Sequence, residues 1–324
     1  MSEKPTASAV VAVLGSSGFV GGALERELRA RGVHLRPVTA PRLCWWPDLT
    51  RLDTVPGDLH GNVVEALAGQ LDGAQVVVNA AGLPDGTAPA SEALYGANAL
   101  LPILVARACA LTGVDRFIHV SSAAVQGGRA LDETANTDPF SPYSSSKALG
   151  ERLLLREHAV TQVIFRSTWV HDIDRPNTRA LVRLARSRAS CVAGDGSAPT
   201  PQVLVSDVAA ALAHLALVPG PVPPIVLQPP SGMTTGLILR LLSGREPRHL
   251  SPVAARAMAG GVRVCAPLGR RLNAYARRIE MLLFGKRQAP GWLADQGVVG
   301  ALRLEAWQQL GAGAGGHTTG RTAG

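Results

Sequence analysis

The sequence lacks most of the features that announce a metal, a disulfide or a membrane. Its four cysteines, Cys44, Cys109, Cys191 and Cys265, lie far apart with no CxxC pair, and its eight histidines do not cluster. Metal and disulfide chemistry are therefore not expected, and the thiols read as reduced structural residues. No uninterrupted apolar run approaches the roughly 20 residues that span a bilayer, so no transmembrane segment is expected. The opening Met1-Ser-Glu-Lys-Pro5 lacks the apolar centre of a signal peptide, which makes a cytoplasmic location the expectation. Neither an internal repeat nor a recognised nucleic-acid motif is present, and nucleic acid is not an expected partner.

What is present is a chain of 324 residues with 46% hydrophobic and 4% aromatic content. That fits one large α/β domain, or a nucleotide-binding domain with a smaller second lobe. The formal charge of +8 admits an acidic partner, whether a polyanion, a membrane surface or a phosphorylated small substrate, without choosing among them.

The most informative stretch is Val10-Val-Ala-Val-Leu-Gly15-Ser-Ser17-Gly18-Phe19-Val20-Gly21. Five apolar residues read as a buried parallel strand, and three glycines at three-residue spacing turn the chain into a helical pattern over Ala23–Arg31. Gly15 permits the sharp turn, Gly18 leaves bare backbone for a phosphate, and Gly21 lets the helix pack close to the sheet. The positive end of that helix and its unpaired N–H groups then face the anion. A second strand, His34–Thr39, ends without the carboxylate that binds the ribose 2′-hydroxyl of NAD. Arg42 follows instead, which favours NADP while leaving NAD open.

Further along, Asn62–Gln70 reads as a helix and Gln75–Asn79 as an apolar strand ending in the small residues Ala80, Ala81 and Gly82. Small residues there suit close approach of a flat ligand. A long helical pattern from Glu92 to Leu111 carries Asn98. Arg116–Ser122 is a strand whose C-terminal end opens into a polar loop, the place where open α/β sheets bind ligands. Ser121 and Ser122 there also suit loop or cap chemistry. Ser141-Pro-Tyr143-Ser-Ser-Ser-Lys147 starts a helix running toward His158, and its four-residue spacing puts Tyr143 and Lys147 on one face.

In this order the pieces resemble the extended short-chain dehydrogenase/reductase family, in its nucleotide-sugar epimerase, dehydratase and reductase branch. They are Gly15-x-x-Gly18-x-x-Gly21, Asp58-Leu59, Asn79-Ala-Ala-Gly82, Asn98, Val120-Ser121-Ser122-Ala123, Tyr143-x-x-x-Lys147 and Val205-x-Asp207-Val208. The likeness spans about residues 10–217. It implies a Rossmann-type, doubly wound parallel α/β sheet with a smaller C-terminal substrate lobe. The corresponding boundaries are a flexible terminus at 1–9, a dinucleotide-binding domain at 10–166 and a substrate lobe at 167–310. Rossmann elements return at about 202–228, and a disordered tail follows at 311–324.

The resemblance also implies roles. Gly15, Ser17, Gly18, Phe19, Val20 and Gly21 would hold the pyrophosphate, and Asp58 and Leu59 would meet the adenine. Ala80, Ala81, Gly82, Asn98, Ser167 and Thr168 would line the remaining cofactor path. Tyr143 would be the acid/base, Ser122 its partner on the reacting oxygen, and Lys147 the group that binds the ribose and favours the phenolate. Ser122, Ala123, Tyr143 and Trp169 would face the substrate, a nucleotide-diphosphate sugar. Trp169 stands where relatives have a polar contact, and the segment Thr200–Ser206 lacks an arginine that often grips a substrate diphosphate. The expected reaction is reduction of a 4-keto-6-deoxysugar. The alternatives are a redox-neutral 4-epimerase with bound NAD and a non-catalytic dinucleotide sensor or scaffold. A homodimer is also implied.

In the C-terminal part, Asn177–Ala189 reads as a basic helix, Gly194–Pro199 as a turn, and Ser206 as the cap of a helix through Leu217. Pro224–Gln228 reads as a strand. Residues 236–287 hold eleven Lys/Arg against Glu246 and Glu280. Within them, Leu268–Phe284 reads as an amphipathic helix exposing Arg270, Arg271, Arg277 and Arg278, foremost as a solvated face, next as a diphosphate-binding wall of the substrate cleft, and third as a contact to an anionic membrane surface.

Overall fold

The computed structural model describes residues 9–48, 60–86, 88–158, 160–265, 279–298 and 300–313. The sequence expectations for Asp58 and Leu59, for Arg270, Arg271, Arg277 and Arg278, and for most of the Leu268–Phe284 helix lie outside them. In chain order the first elements are β1 (Val10–Leu14), α1 (Phe19–Ala30), β2 (His34–Val38), α2 (Gly61–Leu71), β3 (Val76–Asn79), α3 (Glu92–Thr112), β4 (Arg116–Ser122), α4 (Pro142–Leu154) and β5 (Gln162–Ser167). They are followed by β6 (Trp169–His171), α5 (Pro176–Arg186), β7 (Cys191–Ala193), β8 (Gln202–Leu204), α6 (Val205–Leu217), β9 (Ile225–Leu227) and α7 (Thr235–Ser243). Then come β10 (Arg248–Leu250), α8 (Pro252–Cys265), α9 (Trp292–Asp295) and α10 (Leu304–Gly313).

Two compact units share these elements. The first comprises Met1–Thr168, Val205–Gln228 and Gly291–Gln296. Its six strands form one parallel sheet in the order β2-β1-β3-β4-β5-β9. Alternation along the strands sorts side chains to the two faces. Ala12, Leu14, Val77, Phe117, Ile164 and Ile225 enter the core built with α2, α3 and α4, while α1 packs with α6. This is a Rossmann-type α/β fold. The chain winds outward from β1 to β2 and then crosses to β3, so the switch point lies between β1 and β3, where such sheets bind ligands.

Helix α3 runs where the helical pattern from Glu92 to Leu111 puts it, one residue longer. It is the one helix among the described residues long and apolar enough to cross a membrane, with a mean hydropathy of 1.5. Its side chains are spent in the core instead: Leu100, Ile103, Leu104 and Val105 are fully buried. A π-helical stretch, Gly96–Leu100, interrupts it. Gly96 has to be glycine, because a Cβ there would sit 2.1 Å from the Leu43 carbonyl oxygen.

The second unit comprises Trp169–Leu204, Pro229–Pro290 and Gly297–Gly324. Two short parallel pairs, β6 with β8 and β7 with β10, surround a core of Leu181, Val192, Leu239, Leu242, Trp307 and neighbours. Several expected boundaries move. The first unit ends at Thr168 rather than Arg166, and it regains the chain at Val205, where α6 begins before Ser206 rather than after a Ser206 cap. It also takes back Gly291–Gln296, expected in the substrate lobe, because the Glu133 carboxylate accepts hydrogen bonds from the Trp292 and Leu227 amides. The expected tail from 311 starts too early: α10 runs to Gly313, and Gly311 is buried against the backbone of Leu242. Helix α4 stops at Leu154, short of His158.

Candidate active site

The glycine corner has the crowding that its spacing implies. Gly15 adopts a left-handed φ of +78°, and a Cβ on it would lie 2.7 Å from the Ala81 amide nitrogen. The loops after β1 and β3 therefore touch backbone to backbone at the switch point. A Cβ on Gly21 would lie 2.1 Å from the Gly15 oxygen, which presses α1 against the turn. No side chain caps α1, whose N-cap is Gly18, and Ser17 and Gly18 are exposed. Phe19 and Val20 form the first turn and are half-buried. Bare backbone at a helix N-terminus is the arrangement that receives a phosphate. At the end of β2, the Thr39 amide donates to the Gln70 side chain at 3.2 Å, and Arg42 is exposed.

Beyond β3, Ala80 and Ala81 are half-buried and Gly82 is exposed. Asn98 shapes this loop. Its Oδ1 accepts from the Leu83 amide at 3.0 Å, and its Nδ2 donates to the Leu83 carbonyl at 3.0 Å and to Ser146 Oγ at 3.1 Å. The amide of Asn98 is therefore occupied in joining the Gly82–Leu83 loop to α4. A Cβ on Gly82 would lie 2.8 Å from Asn98 Oδ1 and 3.2 Å from Lys147 Nζ, so Gly82 is the gap above the lysine.

Helix α4 is started by a capping box. Ser141 Oγ accepts from the Ser144 amide, and Ser144 Oγ accepts from the Ser141 amide at 2.9 Å, with Pro142 in the first turn. That fixes the turn bearing Tyr143, which is half-buried. One turn later Lys147 is 5% exposed and donates from Nζ to the Val120 carbonyl at 2.9 Å. The contact carries the lysine to the end of β4, two residues before Ser122. Burial lowers the Lys147 pKa to about 8, and the Glu151 carboxylate opposes that fall. Ser122 Oγ accepts from the Ala124 amide at 3.2 Å and so caps the short 3₁₀ turn Ala123–Gln126, in which Ala123 is buried. Its hydroxyl hydrogen remains available to donate.

Across the sheet, Ser167 Oγ donates to the Ser121 carbonyl at 3.1 Å, and Thr168 Oγ1 is buried with no partner among the described residues. An orphaned hydroxyl beside the glycine corner's own sheet fits a cofactor contact. Trp169 begins the second unit, where Lys286 Nζ stands 5.6 Å above its ring.

Three residues of this region, His119, Glu151 and Arg166, escaped sequence reasoning. His119 on β4 is fully buried, and desolvation, then the Lys147 charge, holds its pKa well below the ordinary value. Asn79 Oδ1 accepts from the Ala81 amide, which turns Nδ2 toward His119 Nδ1 at 3.4 Å and places the imidazole proton on Nε2. Glu151 and Arg166 form a buried ion pair at 2.7 Å with side-chain exposures of 2% and 0%. The spacing Tyr143, Lys147, Glu151 was the available signal, since each lies one turn after the last.

Comparison with known proteins now places the chain. Residues 9–219 match the family model described as the RmlD substrate binding domain. The chain belongs to this family. It is an NAD(P)-dependent oxidoreductase of the short-chain dehydrogenase/reductase type. No curated protein sequence matches it. Among solved structures, MoeE5 in complex with UDP-glucuronic acid and NAD is 26% identical over 75% of this chain and 85% of that one, with a TM-score of 0.53. UDP-glucuronic acid 4-epimerase from Bacillus cereus in complex with NAD covers 97% and 99% of the two chains at 16% identity and a TM-score of 0.62. dTDP-4-dehydrorhamnose reductase from Bacillus anthracis in complex with NADP covers 76% and 84% at 18% identity and a TM-score of 0.52. The last two likenesses speak for the fold alone.

Proposed function

We propose that the protein reduces a keto group on a nucleotide-linked sugar, a 4-keto-6-deoxysugar, with NADPH. The observation that carries this reading is the meeting of Lys147 Nζ with the end of β4, 2.9 Å from the Val120 carbonyl. Tyr143 lies one turn before on α4, and Ser122 two residues beyond. The family match supports the reaction class. The bound cofactor supplies the hydride. Gly15, Ser17, Gly18, Phe19, Val20 and Gly21 hold its pyrophosphate, Ala80, Ala81, Gly82 and Thr168 border its path, and Lys147 binds its ribose.

The residues around the carbonyl manage charge and protons. As the carbon is reduced, negative charge grows on its oxygen, and hydrogen bonds from Ser122 and Tyr143 stabilise it. Tyr143 then gives up its proton. A free tyrosine has a pKa of about 10, so the adjacent Lys147 ammonium is needed to favour the anion near neutrality. The neutral end of β2 and the exposed Arg42 favour the 2′-phosphate of NADPH.

Incubation with NADPH or NADH and a panel of nucleotide-linked 4-ketosugars tests the proposal. NADPH oxidation should occur and should fall by about 10²–10⁴-fold in Tyr143→Phe. Oxidation that persists in that variant removes Tyr143 as the acid. A redox-neutral 4-epimerase is the second reading; it needs held NAD, the cofactor in the MoeE5 structure, which is 26% identical to this chain. Protein purified with stoichiometric cofactor and showing no net cofactor turnover decides for it.

A further inference from the structure

We propose that Glu151 is a positioning residue for the proposed catalytic set, tying the β4 terminus that carries Ser122 to the helix that carries Tyr143 and Lys147. The inference rests on the roles given above to those three residues. A carboxylate and a guanidinium are both withdrawn from water in the core of the first unit, with side-chain exposures of 2% and 0%. Apolar residues of the same volume would serve stability as well or better, so packing does not explain the pair.

Its hydrogen bonds do. Glu151 Oε1 accepts from Ser121 Oγ at 2.5 Å, and Lys147, one turn earlier on α4, donates to the Val120 carbonyl at 2.9 Å. The two residues immediately before Ser122 are thus gripped by two side chains of one helix face. Arg166 faces Ser121 across the β4–β5 ladder and holds the carboxylate through Nε at 3.2 Å and Nη2 at 2.7 Å. Its remaining nitrogen, Nη1, donates to the Thr134 carbonyl at 2.7 Å and the Asp132 carbonyl at 3.3 Å. One guanidinium thereby sets the carboxylate and the loop between β4 and α4 together. A bidentate fork gives this geometry where a lysine would not.

The same placement acts on charge. Around Lys147 stand His119 from β4, kept neutral by its burial, Tyr143 and Glu151 from α4, Arg166 from β5 behind Glu151, and the uncharged Asn98 from α3. Glu151 is the one carboxylate among these groups, and it opposes the desolvation of the ammonium.

The test uses the full chain, which contains only three lysines, Lys4, Lys147 and Lys286. With ¹³C-labelled lysine the Lys147 resonance is assigned by its loss in Lys147→Arg and titrated in wild type and Glu151→Gln. The Lys147 pKa should fall by about one pH unit in Glu151→Gln. The basic limb of kcat should move to lower pH with it, and kcat should drop at least tenfold with KM changed less than threefold. An unmoved Lys147 titration in folded Glu151→Gln overturns the electrostatic half. Ser121→Ala, which keeps every charge, tests the geometric half and covers the case in which Glu151→Gln does not fold. It should lower kcat without moving the Lys147 titration, and an unchanged kcat overturns the inference. Wild-type protein that reduces none of the ketosugars overturns the proposed function instead, whereas the Lys147 titration needs no substrate.

Discussion

Three glycines of the first unit give a graded prediction, because an added methyl group meets something different at each. In Gly21→Ala the new Cβ would lie 2.1 Å from the Gly15 oxygen and 2.7 Å from its carbonyl carbon. Both partners are backbone, so α1 must retreat by about 1 Å, an overpacking that costs about 1–3 kcal/mol. For a unit of this size that lowers Tm by roughly 3–10 °C. In Gly18→Ala the sole neighbour within reach is the Gly15 oxygen at 3.0 Å, a contact the turn can relax. The exposed methyl group then stands where a phosphate would lie against the helix N-terminus. Gly18→Ala should melt close to wild type and bind NADPH at least tenfold more weakly, about 1.4 kcal/mol. Gly69 in α2 has nothing within 4 Å, so Gly69→Ala should gain about 0.5–1 kcal/mol from helix propensity with no change in affinity. Calorimetric titration with NADPH and thermal melts of the three variants measure both quantities. Wild-type affinity in Gly18→Ala would refute the assignment of this corner to the pyrophosphate, whatever the other two do.

Three further variants separate stability from activity. Lys147 has a folded pKa of about 8, below the roughly 10.4 of an unfolded lysine, so at pH 7 its burial costs about 3 kcal/mol. Between those two values the unfolded chain binds more protons, and wild-type stability rises with pH. Lys147→Met should therefore be more stable than wild type at pH 7, lose that advantage between pH 8 and 10.5, and be inactive; melts across that range read the crossover. Arg166→Met leaves the Glu151 carboxylate buried with Ser121 alone and frees the carbonyls of Asp132 and Thr134, which should cost about 3–5 kcal/mol. Replacing Glu151 and Arg166 together by leucine should recover most of the melting temperature but not the activity, and a double variant as unstable as the sum of the singles counts against the pair as described.

The groups with repeating or punctuated patterns were legible. β1 and β3 fall within a residue of where the apolar runs put them, α1 begins at Phe19, four residues before the expected Ala23, and added Cβ atoms on Gly15, Gly18 and Gly21 meet backbone at close range. The sequence also placed Tyr143 and Lys147 on one helix face, as α4 bears out. The helix expected from Glu92 to Leu111 is α3, and although only Glu92 and Arg107 are charged along it, its apolar residues are spent in the core. The sequence could not assign Gly291–Gln296 to the first unit, because the tether is a carboxylate 159 residues away. The motif also does not announce that the Asn98 side chain bonds Leu83 and Ser146, a tie between the loop after β3 and α4 that exists only in the assembled fold.

Glu151 and Arg166 show why the remainder was hidden. On a sequence, a glutamate late in a helix and an arginine near a strand end read as solvated charges. Their meeting depends on β4 and β5 lying side by side with Ser121 opposite Arg166, and a one-residue slip in that register would turn Arg166 to the other face of the sheet. Phe117, Ile118, Ile164 and Phe165 are all fully buried, so these strands are covered on both faces and carry no in–out alternation from which that register could be read. The motifs thus reveal the groups proposed to touch cofactor and substrate, whose spacing is local. The groups that hold them are revealed only when the sheet is assembled, and a search for such supports is best begun at residues paired across the ladder from a motif.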